Sequence, residues 1–120
     1  MAISSYRDLK VYEKGYALSL RVHRLTLGFP RFEQYELARQ MRTASKSVCA
    51  NLAEGFGKSK VSKSEFRRYV QVALGSAEEM QAWLEYSFDL GYMNEADFNE
   101  VTEGYQEVCR MLQGLHASWS

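Results

Sequence analysis

Four successive segments of the chain place apolar residues three and four positions apart. That is the spacing of one face of an α-helix, and it constrains the fold more than any other feature of the sequence. The first segment runs from about Asp8 to Leu27, with Leu9, Tyr12, Tyr16, Leu20, His23 and Leu27 as its stripe. Gly28 and Pro30 then stop it in the usual order. The second runs from about Phe32 to Ala53 with a stripe of Leu37, Met41, Ala44, Val48 and Leu52, and Gly55 and Gly57 end it. The third opens at Ser62, where Glu65 three residues later forms a capping-box pattern. Its stripe is Phe66, Tyr69, Val70, Ala73, Ala77, Met80, Leu84 and Phe88, and Gly91 ends it. At about 1.5 Å per residue this helix is about 42 Å long. Gly75 lies inside it, and close approach by a neighbouring helix is the expected compensation. The fourth starts at Asn94, a good N-cap, and carries Phe98, Val101, Tyr105, Val108, Leu112, Leu115 and Trp119.

Pro30 is the only proline, so nothing interrupts the long helices. Short connections make sequence neighbours antiparallel, and four amphipathic helices close into an up-down-up-down bundle. The expectation is one all-α four-helix-bundle domain over residues 1–120. A chain of 13.8 kDa removes about 13,000 Å² from water on folding, enough for a core without staples.

The net charge is zero, but its distribution is uneven. Up to Arg68 there are 14 Lys/Arg against 6 Asp/Glu, a balance of +8; from Tyr69 onward there are 1 and 9, a balance of −8. Arg39, Arg42 and Lys46 lie off the second stripe, and Lys58, Lys60, Lys63, Arg67 and Arg68 follow in the next turn and helix start. Eight cations within thirty residues suit contacts to phosphates and make RNA the first candidate partner. The competing reading is a solvated face balanced by acids of the fourth helix, with Arg42 or Arg68 pairing Glu54. The opposed halves also suit head-to-tail self-association into a ring, with Phe56, Trp83, Tyr86 and Tyr92 as candidate exposed aromatics. Asn51, Glu54 and Gly55 are read as structural residues of the turn between helices two and three, bonding its orphan backbone groups.

Patterns that carry catalysis or bind metals are missing. The residues three before His23 and His116 are Leu20 and Gln113, so the Glu-x-x-His pair of di-iron bundles is not present. Gly55-Phe56-Gly57-Lys58 follows a helix and lacks the spacing of a phosphate loop. No catalytic, cofactor or metal residues are expected, and the reading is a non-enzyme. Cys49 and Cys109 are far apart and read as reduced thiols. Arg7, Asp8 and Lys10 interrupt the N-terminus before an apolar stretch develops, and no apolar run reaches membrane length. A cytoplasmic protein is expected.

Several blocks carry a family resemblance. They are Tyr6-Arg7-Asp8-Leu9-Lys10-Val11-Tyr12, Gly28-Phe29-Pro30, Ser47 to Lys58 with Asn51-Leu52-Ala53-Glu54-Gly55 at its centre, Ser64-Glu65-Phe66, and Ala73-Leu74-Gly75-Ser76-Ala77-Glu78-Glu79. Nearly the whole chain resembles the bacterial four-helix-bundle proteins encoded in intervening sequences of large-subunit ribosomal RNA genes. It is more distantly similar to the accessory proteins of diversity-generating retroelements. The resemblance implies a homopentameric barrel, binding of RNA or of a nucleic-acid enzyme such as a reverse transcriptase, and no established catalysis. Members commonly carry proline where this chain has Cys49, so a straighter second helix is expected here.

Overall fold

A computed structural model describes residues 3–120. Four α-helices account for most of them: α1 (Lys10–Leu27), α2 (Leu37–Lys58), α3 (Lys63–Asp89) and α4 (Glu95–Ser118). Short 3-10 turns at Tyr6–Asp8 and Arg31–Glu33 precede α1 and α2. Each helix packs on its sequence neighbours and α1 also packs on α4, while the diagonal pairs stay apart. The result is the expected antiparallel bundle, 45 × 24 × 20 Å. Among the described residues there is no strand, and no helix is long and apolar enough to cross a membrane.

The ends of the helices are set by local chemistry. Ser5 and Asp8 form a complete capping box at the first 3-10 turn. Ser62 caps α3 by accepting from the Glu65 amide at 3.2 Å, but the reciprocal half of that expected box does not form, because the Glu65 carboxylate turns to Arg68. Asn94 caps α4 as expected, accepting from the Asp97 amide at 2.7 Å. Gly91, at φ +80°, makes the α3–α4 turn that a side chain would strain.

Three of the four expected stripes are the observed core. Met41, Val48, Leu52, Phe66, Val70, Met80, Leu84, Val101, Tyr105, Val108 and Leu112 are buried and contiguous. The first helix differs. Its inward face is Val11, Gly15, Ser19, Val22 and Thr26, while Tyr16, Leu20 and Leu27 point outward. The small residues take the interior because both neighbours lie close: a Cβ on Gly104 of α4 would sit 2.6 Å from Leu18 of α1, and a Cβ on Gly15 would already be in van der Waals contact with Val48 and the Cys49 sulfur of α2.

Two further expectations are corrected. α2 begins at Leu37 rather than Phe32, since residues 31–33 form a 3-10 turn, and it runs through Gly55 and Gly57 to Lys58. A Cβ at Gly75 would meet nothing within 4 Å, so no neighbouring helix of the chain approaches there. The close approaches are at Gly55, where a Cβ would lie 2.5 Å from the Tyr69 Cβ, and at Gly104, 2.6 Å from the Leu18 side chain.

Candidate nucleic-acid interface

The connection between α1 and α2 is held by its own polar groups. Gln34 Nε2 donates to the carbonyls of Thr26 (2.8 Å) and Phe29 (3.0 Å). Arg42, one and a half turns into α2, donates to Thr26 Oγ1 at 3.1 Å, to Gln34 Oε1 at 3.2 Å and to the Gln34 carbonyl at 2.9 Å. From the other side Tyr92 donates to Glu33 at 2.9 Å and packs its ring on Phe29. Arg42 is therefore a fixed positive charge whose neighbours cannot drift.

Around it Gln34, Tyr35, Arg39, Thr43 and Lys46 complete an open groove of about 500 Å³. Tyr35 is 79% exposed, and Lys46 Nζ lies 3.2 Å from His23 Nδ1. Among the described residues no acid forms an ion pair with Arg39, Arg42 or Lys46. The acids of α4 engage α1 instead: Glu107 pairs with Lys14 at 3.1 Å, and Asp97 and Glu100 pair with Arg21 at 2.7 and 3.0 Å. The expected neutralisation of the basic face by α4 does not occur on α2.

The eight expected cations fall into two groups. Arg39, Arg42 and Lys46 share the groove, whereas Lys58, Lys60, Lys63, Arg67 and Arg68 surround the α2–α3 turn at the opposite end of the bundle. Lys46 and Lys58 are twelve residues apart on one helix, about 18 Å. Arg68 is tied to Glu65 at 3.1 Å and lies over the Tyr69 ring, so neither it nor Arg42 pairs with Glu54. Glu54 accepts from the Tyr69 hydroxyl at 3.0 Å.

Asn51, Glu54 and Gly55 lie within α2 and not in the turn, which begins one helical turn later at Ser59. Asn51 donates to the Ser47 carbonyl at 2.8 Å and to its hydroxyl, which meets Ser76 of α3 at 2.9 Å. These bonds link α2 to α3. Of the four aromatics expected outside, only Tyr86 is exposed; Phe56, Trp83 and Tyr92 pack against the core. The aromatic missed in the groove is Tyr35. Periodicity could not have found it, because Tyr35 lies in the turn before α2 and only the fold sets it beside Arg39, Arg42 and Lys46.

Both cysteines are free thiols. Burial pushes Cys49 up to about 11 and also raises Cys109, whose sulfur accepts from Gln81 at 3.3 Å. At pH 8 about one part in a thousand of Cys49 is thiolate. Iodoacetamide should modify Cys49 in the native protein at least a hundredfold more slowly than in urea, as read by mass spectrometry.

The family model for 23S rRNA-intervening sequence proteins matches residues 7–114. The chain belongs to that family. A similar solved structure comes from Bacteroides thetaiotaomicron, described as a protein of unknown function from the S23 ribosomal protein family; it superposes with a TM-score of 0.80 at 19% identity, over 89% of this chain and 95% of that one. At that identity the likeness speaks for the fold alone. No curated protein matches the sequence. Against the proline common in the intervening-sequence family, Cys49 sits inside an uninterrupted α2, its thiol 3.9 Å from the Tyr12 carbonyl.

Proposed function

We propose that this intervening-sequence protein is a non-enzymatic, self-associating binding protein that holds RNA in the groove beside Tyr35, without a cofactor. The observation that carries the reading is the set Tyr35, Arg39, Arg42 and Lys46: three cations with no acid partner around an exposed ring. Cations supply affinity for phosphates, and a free ring stacks on a base that is not paired in a duplex. Single-stranded RNA is therefore the favoured ligand. The two free thiols suit a reducing, cytoplasmic setting. The copies assemble head to tail into a ring, five-membered by the family resemblance.

The test is fluorescence anisotropy of a labelled single-stranded RNA between 50 and 200 mM salt. Affinity should fall as a power of salt, with a slope of about −0.7 for each phosphate neutralised. Arg39→Ala and Lys46→Ala should each reduce that slope by about one contact. Tyr35→Ala should weaken binding about 5- to 100-fold at unchanged slope, the effect of one lost stack. Salt-independent binding, or full affinity in the Arg39→Ala, Lys46→Ala double variant, contradicts the reading. Arg42 is unsuited to this test. Arg42→Ala leaves Thr26 and Gln34 without their donor and should cost about 1–3 kcal/mol of stability in urea unfolding.

The second reading is a scaffold that recruits a nucleic-acid enzyme. It is supported by the end of the bundle where α1 and α3 finish, which exposes Leu27, Phe32, Tyr86 and Leu90. A partner held there would bind with weak salt dependence and respond to Phe32→Ser.

A further inference from the structure

We infer that the outward face of α3 in one copy docks on the outward face of α1 in the next copy. The inference rests on the self-association proposed above and names its two surfaces.

On α3, Val72, Gly75, Glu79, Ala82 and Tyr86 are all exposed and follow one another at three, four, three and four. That is the spacing of a seam between packed helices. Among the described residues nothing covers it, because α3 meets α2 and α4 by other faces and does not touch α1. Gly75 is the decisive residue. A glycine inside a helix costs about 1 kcal/mol relative to alanine. Within the chain no contact accounts for it, since a Cβ would reach nothing within 4 Å. A second helix crossing closely at Gly75 and Ala82 does account for it.

The matching surface is the row on α1 that periodicity assigns to the core and the fold turns outward. Tyr16 is 50% exposed and Leu20 38%, with half-buried Tyr12 on the same row. One face offers large apolar side chains; the other offers gaps left by small ones. The charges agree with the shapes. Among the described residues Glu78, Glu85 and Asp89 along α3 have no ion pair, and neither does Arg24 on α1. Because the faces lie on diagonal helices, each copy presents one of each kind to different neighbours. Such a contact is heterologous and closes into a ring when its rotation permits. Its footprint centres on Tyr16 and Leu20, while Tyr35 and Arg39 lie further along toward the α1–α2 connection.

The experiment uses light scattering on the wild type, on Leu20→Glu, on Gly75→Arg, and on an equal mixture of the two variants. Both positions are exposed, and circular dichroism checks that helix content is kept; Ala82→Arg serves as a second α3 variant. The wild type should exceed the mass of one chain. Each variant alone should run as a single 13.8 kDa chain. The mixture should reach twice that mass and stop, because each variant keeps the face that the other lacks. A variant that retains the wild-type mass, or a mixture that stays single, overturns the pairing of α1 with α3 while self-association stands. A wild type that is a single chain at every concentration overturns self-association itself.

Discussion

Phe66→Ala should lower the stability of the bundle by about 3–5 kcal/mol. Phe66 is fully buried near the start of α3, its ring 4.4 Å from that of Trp119 near the end of α4 and beside Gly55 of α2. It fills the space where three helices meet. Removing the ring loses its transfer energy and leaves a cavity that the neighbouring backbones cannot close. A domain of this size has about 5–15 kcal/mol in all, so the variant approaches the limit of folding. Thermal unfolding at fixed protein concentration should show a midpoint lower by about 12–20 °C. A shift below 4 °C would mean that Trp119 or Gly55 collapses into the space.

Gly55→Ala should destabilise by about 2 kcal/mol although alanine is the better helix former. The added methyl would lie 2.5 Å from the Tyr69 Cβ, an atom fixed to the α3 backbone, so α2 and α3 must separate. Their separation also stretches the Tyr69–Glu54 hydrogen bond. The control is Gly114→Ala in α4, where a Cβ meets nothing within 4 Å. There the same substitution should stabilise by up to about 1 kcal/mol. Opposite signs in urea unfolding support the close approach of α2 and α3; equal gains in both variants would contradict it.

Helix number, order and most of the core were legible because α2, α3 and α4 each carry one dominant apolar row. α1 carries two rows. Tyr12, Tyr16 and Leu20 are the larger, but Val11, Gly15, Ser19 and Val22 are inside. Hydrophobicity ranks a row by the size of its side chains, whereas helix packing selects the row that lets backbones come close. The same limit applies to the glycines. The sequence shows Gly55 as a stop, and in the fold it is a close contact inside α2; Gly75, shown as a packing contact, meets no helix of its own chain. α2 runs past Gly55 and Gly57 because a glycine ends a helix only where the backbone must turn, and here both lie within the helix.

The basic face was legible as charge and not as shape. Arg39, Arg42 and Lys46 were visible as a run on one side of α2, but only the fold brings Tyr35 and Gln34 beside them and sends Lys58 to Arg68 to the far end. Only the fold, too, distinguishes Arg42, which holds the α1–α2 connection, from Arg39 and Lys46, which do not bond it. The charge asymmetry of the sequence is partly consumed inside the chain, by Lys14 and Arg21 of α1 against the acids of α4. Among the described residues Arg39, Arg42 and Lys46 of α2 and Glu78, Glu85 and Asp89 of α3 have no ion pair.

The most direct test of RNA held by an assembled ring is the solution mass from light scattering, with and without single-stranded RNA, at 50 and 200 mM salt. A mass of several chains that rises with RNA at low salt and returns to its starting value at high salt is the predicted result. A single chain whose mass RNA does not change at either salt would contradict it.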